Sequence, residues 1–181
     1  MPPARPASLK VRALQWLAQR EHSRHELRDK LLRLMQRSAR AAAAQAASNG
    51  ADAHGAPDTD TAAEVDAVLQ WLEQHGHVSD ARFTESRVHA RQARFGNRRI
   101  QQELQQHGVS LDADARQALQ QTELARATEV WRRKYGSSAP DAAGRVRQMR
   151  FMVGRGFSLD VVRRVIQGGG READRFDAIG D

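Results

Sequence analysis

One short pattern recurs three times along the chain: a glycine, a serine two or three residues later, and an aspartate four residues after the glycine. The copies begin at Gly76, Gly108 and Gly156. Glycine ends a helix by adopting left-handed backbone, and Ser or Asp starts the next helix by accepting hydrogen bonds from its first amides. Each copy therefore predicts a helix stop followed at once by a helix start, and the repetition predicts tandem helical modules.

Apolar residues between these points follow helical spacing, and no run of strand-like alternation interrupts them. We therefore predict an all-α fold of about nine helices, arranged as three tandem three-helix repeats in an elongated, curved array. The last helix should end at the three glycines 168–170. The predicted segments are a disordered N-terminus (1–7), a first repeat (8–76), a second (77–121), a third (122–168) and a flexible acidic tail (169–181).

The first repeat carries two start signals. Ser8 should cap a helix that runs to about Arg20, and its apolar face should contain Val11, Leu14, Leu17 and Ala18. Ser23 and Glu26 have the spacing of a capping box, in which each side chain satisfies an amide near the other residue. The second helix therefore should begin at this pair.

An Ala-rich insertion at 38–63 interrupts the first repeat. Because alanine has the highest helix propensity, the second helix should continue to about Ala47. The Gly-, Pro- and Asp-containing stretch 48–60 then predicts a mobile loop. A long hinge inside a small module also suggests a domain-swapped dimer, in which two chains exchange their first helices.

The charge is strongly basic and unevenly distributed. The chain has 29 Lys and Arg against 22 Asp and Glu, and only three of the cations are Lys. Cations concentrate in 1–37, 82–99 and 121–167, which favours contact with a segmented polyanion. The chain contains no Cys, which excludes disulfides and thiolate metal sites, and no apolar run long enough to span a membrane. We therefore expect a soluble cytoplasmic protein with an acidic partner.

The candidate binding residues are arginines and one lysine within these three blocks. The most regular set is a helical stripe of arginines in the second block, which would face nucleic-acid phosphate, an acidic protein surface or, alternatively, only solvent. In the third block, Trp131 and Tyr135 flank a cationic cluster and could stack unpaired bases, although a core position for Trp131 is favoured. The candidates are Arg24, Arg28, Arg87, Arg91, Arg94, Arg98, Arg99, Arg132, Arg133, Lys134, Arg147, Arg150 and Arg155.

No catalytic or cofactor site is predicted. The histidine pairs His22/His25 and His75/His77 have no convergent Cys or carboxylates, so no metal site is expected. The phosphate-cradling motif GxxxxGK[ST] is absent, so the protein should not hydrolyse nucleotides. The sequence therefore predicts a non-enzymatic protein without a cofactor.

Four segments together resemble the bacterial RecX family of RecA regulators: SRHELRDKLL (23–32), GHVSDARF (76–83), GNRRIQQELQQHGV (96–109) and RQMRFMVGRGFSLDVVRRVI (147–166). The resemblance implies tandem three-helix repeats. It also implies binding to the RecA recombinase and to its filaments on single-stranded DNA, with inhibition of strand exchange, ATP hydrolysis and co-protease activity. The chain departs from the family pattern at 38–63, where a shorter turn is usual.

An alternative function is that of a free-standing DNA-binding regulator. Residues 97–119 form two predicted helices with a short glycine turn, as in a helix-turn-helix. The second of these helices carries Asp112 and Asp114 against a single Arg116, which is a poor face for a phosphate-lined groove. Under the RecA-regulator hypothesis, binding to DNA alone should be weak, salt-sensitive and independent of sequence.

Overall fold

A computed structural model of the chain describes residues 8–48 and 58–177, and α-helix is the only regular secondary structure in these ranges, as predicted. Predictions for 1–7, for 49–57 and for 178–181 lie outside the described residues. No helix in the described ranges is long and apolar enough to cross a membrane. The helices are α1 (Leu9–Leu17), α2 (Arg24–Ser48), α3 (Asp58–Gln74), α4 (Asp80–Gln92), α5 (Asn97–Gln106), α6 (Ala113–Tyr135), α7 (Ala142–Gly154) and α8 (Leu159–Asp177).

The repeated stop-and-start pattern forms as predicted. The three glycines have positive φ angles of 69°, 71° and 88°, and each one separates two helices. Asp112 is the N-cap of α6, and its carboxylate accepts a hydrogen bond from the amide of Ala115 at 2.7 Å. The Ala-rich segment also extends α2 to Ser48, in agreement with the propensity of alanine.

The described residues contain eight helices rather than nine, because the predicted helices at 110–121 and 122–135 are one continuous helix, α6. The segment 113–135 contains neither glycine nor proline, so nothing in its backbone chemistry ends the helix. The predicted boundary between the second and third repeats therefore falls inside α6.

The prediction that the last helix stops at the glycines 168–170 is wrong, since α8 continues to Asp177. A glycine inside a helix costs about 1 kcal/mol relative to alanine but, unlike proline, keeps its amide donor. The residues that follow include Arg171, Glu172 and Ala173, which favour helix. Much of the predicted tail is thus helical.

The described helices pack as two compact units. The first unit lies within residues 1–83 and 107–109, and the second within 84–106 and 110–181, so that the division falls inside α4. The first core contains Ala13, Leu27, Leu31, Val65, Val68, Leu69, Leu72 and Val78. The second core contains Ala127, Val130, Trp131, Met152, Phe157, Val162, Val165 and Ile166.

Helix α1 packs with only part of the predicted face. Leu14 and Leu17 pack against the first core, as predicted, but Val11 and Ala18 are exposed. Ala13 is fully buried, whereas Val11 is 45% exposed. Two residues correspond to about 200° of rotation, so Val11 points away from the core when Ala13 points into it. The small alanine side chain lets α1 lie close to α2 and α3.

Only half of the predicted capping box forms at the start of α2. The Ser23 hydroxyl accepts a hydrogen bond from the Glu26 amide at 3.0 Å and donates one to the His107 carbonyl at 2.7 Å. The Glu26 carboxylate instead pairs with Arg20 and lies 3.1 Å from Nδ1 of the buried His22. Burial alone would raise the pKa of Glu26, but the hydrogen bond from Arg20 and the contact with His22 lower it to about 2.

In the second unit, two glycines bring separate chain segments into backbone contact. Gly96 donates its amide hydrogen to the Arg155 carbonyl at 3.0 Å, and Arg98 donates to the Gly156 carbonyl at 3.1 Å. A Cβ atom on Gly96 would lie 2.2 Å from the Phe157 nitrogen, and one on Gly156 would lie 2.5 Å from Cβ of Arg99. We call this contact the glycine crossing; only residues without side chains fit it.

Glu26 should contribute to the acid sensitivity of the protein. Its folded-state pKa of about 2 lies below the ordinary 4.5, so its stabilising effect is present above pH 4.5 and is lost as the pH falls towards 2. We expect Glu26→Gln to show a smaller drop in urea midpoint between about pH 5 and about pH 3 than the wild type. Glu129→Gln, at an exposed ion pair with Arg133, is the control. An unchanged pH dependence in Glu26→Gln would contradict the assignment.

The glycine crossing predicts a large cost for a single methyl group. Gly96→Ala should lower the free energy of unfolding by about 3 kcal/mol, since the clash is with backbone and cannot be relieved by a rotamer change. Gly154→Ala is the matched control, because no atom lies within 4 Å of the position that its Cβ would occupy and α7 should tolerate it. Urea denaturation measures both. Equal stability of the two variants would refute the close approach.

Candidate basic pocket and its surroundings

Cations from two of the three basic blocks converge on one pocket in the second unit. The pocket has a volume of about 250 Å³ and lies beside the turn after α4, the C-terminal half of α6 and the end of α7. It contains four cationic side chains and no carboxylate. We call it the basic pocket; its lining residues are Ala93, Arg94, Val130, Arg133, Lys134, Phe151 and Arg155.

Two phenylalanine rings hold the arginines at the rim. The Arg155 guanidinium lies 5.0 Å from the Phe151 ring centre and 5.5 Å from that of Phe95. Arg99 lies 5.0 Å and Arg91 5.9 Å from the Phe95 ring centre. Cation–π contacts of this kind orient a guanidinium through its face and leave its N–H edge available to an anion. Neither phenylalanine was among the residues predicted from the sequence.

The glycine crossing determines which cations meet. Arg94 and Arg99 flank Gly96, and Arg155 directly precedes Gly156, so the backbone contact places the second and third basic blocks side by side. Arg155 also donates a hydrogen bond to the Arg94 carbonyl at 3.4 Å. Arg94 and Arg155 are 61 residues apart in sequence, and local pattern alone does not reveal that they meet.

A buried polar network supports the segment that carries Phe95. Arg126 donates hydrogen bonds to the carbonyls of Gln92 and Phe95 and to the Asn97 side chain. Burial lowers the pKa of Arg126, and the charge of Glu123 opposes that shift. Glu123 in turn accepts hydrogen bonds from the Asn97 amide at 3.0 Å and the Ser158 hydroxyl at 3.3 Å. Arg126 was not predicted because the sequence offers no sign that distinguishes it from the exposed arginines around it.

The aromatic residues of α6 have structural positions. Trp131 is 2% exposed and belongs to the second core, and its indole N–H donates to the Gln148 side chain at 3.2 Å. This confirms the favoured core assignment and leaves no face of Trp131 for a base. Tyr135 packs edge-on against Phe151, with ring centres 5.5 Å apart.

The predicted arginine stripe is divided by the structure. α4 ends at Gln92, so Arg94 lies in the following turn and Arg98 on α5. Arg87 and Arg91 both reach Glu103 of α5, with N–O distances of 3.2 Å and 2.8 Å. The Glu103 carboxylate therefore neutralises two arginines of the stripe. Neither the binding hypothesis nor the solvated-face alternative included these two ion pairs.

The two candidates of the first unit are also paired internally. Arg24 lies 2.9 Å from Glu73, and Arg28 makes a two-pronged contact with Asp66 at 2.7 Å and 3.1 Å. The hydrogen bond from Arg28 lowers the pKa of Asp66. These contacts join α2 to α3 inside the unit.

The remaining candidates lie at the surface. Arg98, Arg147 and Arg150 are exposed and make no ion pair with any described residue. Arg132 is exposed on α6 next to Arg133, which contacts Glu129, one turn earlier, at 3.3 Å. Within the described ranges, the histidines do not gather with Cys, Asp or Glu into any group of three that could hold a metal ion.

Comparisons with known proteins agree with one another. A family model described as "RecX, third three-helix domain" matches residues 121–166, and "RecX, second three-helix domain" matches 79–119. The chain is 44% identical over 168 residues to "Regulatory protein RecX" of Ralstonia nicotianae, which covers 92% of this chain and 91% of the relative. It is also 44% identical over 169 residues to the protein of the same name from Leptothrix cholodnii, with 92% of each chain covered.

The fold is similar to a crystal structure of RecX from Lactobacillus salivarius. The TM-score is 0.60 at 16% identity, and the match covers 90% of this chain and 94% of the other. At this identity the likeness supports the fold alone.

The basic pocket predicts measurable binding to a phosphate backbone. We expect Arg133→Ala with Lys134→Ala to weaken binding of a fluorescein-labelled oligothymidylate. Loss of two phosphate contacts should reduce the slope of log affinity against log salt by about 1.4.

The control is Arg163→Ala with Arg164→Ala on α8, which also removes two adjacent exposed cations, one of them paired to an acid one turn earlier. Fluorescence anisotropy at several salt concentrations measures the slopes. Equal losses in the two variants would mean that the pocket contributes only its net charge.

Proposed function

This chain belongs to the RecX family, and from that premise we propose that it regulates the RecA recombinase without being an enzyme. In this proposal it binds RecA and RecA filaments on single-stranded DNA. It inhibits the recombinase, ATPase and co-protease activities and thereby modulates DNA repair and the SOS response in the cytoplasm. The relatives' shared name, regulatory protein, supports the regulatory role.

The basic pocket is the observation that carries this proposal. Four like charges around about 250 Å³ repel one another unless an anion lies between them. A phosphodiester fits the requirement, because arginine binds phosphate through two parallel N–H groups and lysine does so as a point charge. A protein that engages a RecA filament meets such phosphates in the bound strand.

The mechanism that follows is competition on the filament. Exposed cations in the second and third basic blocks would contact the nucleoprotein surface and exclude incoming duplex or other filament substrates. Binding along the filament groove and capping of its growing end both agree with this chemistry. Contact with DNA alone would be weak and independent of sequence, because the pocket offers charges for the backbone and no set of groups matched to base edges.

A helix-turn-helix regulator is a weaker candidate. Its recognition helix would be α6, whose first turn contains Asp114 and whose N-cap is Asp112. A recognition helix contacts the major groove with its N-terminal residues. The two carboxylates at that end of α6 would be repelled by the DNA phosphates on both sides of the groove. A sequence-specific footprint on duplex DNA without RecA would favour this function.

The domain-swapped dimer through 38–63 stays a prediction. The contacts of α2 with α3, including Arg28 with Asp66, are satisfied within one chain. Exchange would require the same contacts between two chains.

The proposed function is tested by ATP hydrolysis. Purified protein added in stoichiometric amounts to RecA on single-stranded DNA should reduce the rate of hydrolysis. Arg133→Ala with Lys134→Ala should inhibit less than the wild type, and Arg163→Ala with Arg164→Ala should inhibit equally well. An unchanged rate with the wild-type protein would refute the proposal.

A further inference from the structure

The solvent-facing side of α7 carries an apolar stripe beside arginines. Val146, Arg150 and Val153 follow one another at one-turn spacing, and the two valines are 43% and 38% exposed. Ala142 and Ala143 extend the stripe towards the start of the helix and are also exposed. We call these five residues the outer face of α7.

The opposite side of α7 is anchored, which fixes the direction of the outer face. Met152 is fully buried in the second core, and Gly144 packs so closely that a Cβ atom there would lie 2.5 Å from Cβ of Ala139. Gln148 is buried, accepts the indole hydrogen bond of Trp131 and donates to the Ser137 carbonyl at 3.0 Å. Turning the valines inward would break all of these contacts.

The outer face is separate from the basic pocket. Phe151 lines the pocket and lies five residues after Val146, which corresponds to roughly 140° around the helix axis. A ligand in the pocket therefore leaves the valines uncovered.

The charge of α7 is of one sign. It contains three arginines and no carboxylate, and Arg150 makes no ion pair with any described residue. Three exposed arginines elsewhere, Arg33, Arg133 and Arg164, pair with acids one turn away on their own helices. The other acid-free helix in the described ranges is α1, where Lys10 lies over the Trp71 ring and Arg12 contacts Gln15. Within the described ranges Arg150 makes no ion pair, as is also true of Arg98, and on α7 no acid lies one turn before or after Arg150.

We propose that the outer face of α7 is a docking surface for an acidic, partly apolar surface of a protein partner. Carboxylates would meet Arg150 and the neighbouring Arg147, while apolar side chains would cover the two valines. A nucleic-acid strand fits less well, because its phosphate backbone is charged and hydrated and its bases stack on flat aromatic side chains, which the outer face does not contain. The proposal rests on the proposed function for the identity of the partner, a RecA protomer within the filament.

The experiment compares two double variants with matched exposure. Val146→Glu with Arg150→Glu inverts the chemistry of the outer face. Val11→Glu with Arg12→Glu makes the same change on α1, where Val11 is 45% exposed. Circular dichroism and thermal unfolding verify that both variants fold. Interferometry then measures their binding to RecA assembled on immobilised single-stranded DNA and to the same DNA without RecA.

We expect the α7 variant to bind RecA filaments at least about tenfold more weakly than the wild type, equivalent to about 1.4 kcal/mol. It should bind the DNA alone within about twofold of the α1 variant, which has the same net charge. Conservative replacement by Val146→Leu with Arg150→Lys should retain most of the filament binding.

If the wild type binds RecA filaments, three results would overturn the proposal of a docking surface on α7. The first is equal filament binding by the two charge-reversed variants. The second is a selective loss of DNA binding in the α7 variant, and the third is that this variant loses a self-associated form of the protein. Failure of the wild-type protein to bind RecA filaments would instead refute the proposed function, and with it the partner named here.

Discussion

The glycine crossing between Gly96 and Gly156 is the contact on which the candidate site depends. Two backbone hydrogen bonds, from the amides of Gly96 and Arg98, join the two segments. A side chain at position 96 or 156 would hold these segments apart. Since Arg155 precedes Gly156 and Arg94 and Arg98 each lie two residues from Gly96, the crossing brings cations together as well as backbone. The basic pocket is thus a consequence of how the second unit packs, and a change at either glycine would alter both stability and charge geometry.

The candidate cations divide according to what already neutralises them. Arg24, Arg28, Arg87 and Arg91 each contact a carboxylate of their own unit, so binding another anion would require breaking an existing ion pair. Of the pocket cations, Arg155 instead contacts aromatic rings and the Arg94 carbonyl, and Arg133 contacts the exposed Glu129. An exposed ion pair contributes at most about 1 kcal/mol, so breaking one would add about that much to the free-energy cost of binding an anion at a paired arginine. Among the described residues, the candidate cations without a carboxylate partner in an adjacent helix therefore include those of the basic pocket in the second unit.

Local chemistry made much of the fold predictable. Helix stops at glycine and starts at Ser or Asp depend on a few neighbouring atoms, and these signals correctly predicted the helix ends around Gly76, Gly108 and Gly156. The errors arose where tertiary contacts decide. The absence of glycine and proline from 113–135, however, was a local sign that α6 is continuous. No local signal indicated that Ala13 rather than Val11 faces the core, or that Glu26 turns to Arg20 and His22. The candidate site shows the same limit, because spacing alone could not indicate that Glu103 neutralises two arginines or that Arg126 is structural.

Phe95 and Phe151 were missed because a phenylalanine in a chain with few aromatics is typical of a core. Their contacts with guanidinium groups also require the second and third basic blocks to meet.

In the proposed function, the cations of the basic pocket bind the phosphate backbone, whereas Arg28 and Arg91, which pair with carboxylates of neighbouring helices, do not. The most direct test is titration of the protein with oligothymidylate, followed through the arginine Nε–Hε signals in NMR spectra. We predict that the signals of Arg94, Arg133 and Arg155 shift while those of Arg28 and Arg91 stay unchanged. Shifts at Arg28 and Arg91 with unchanged signals from the pocket residues would contradict this assignment.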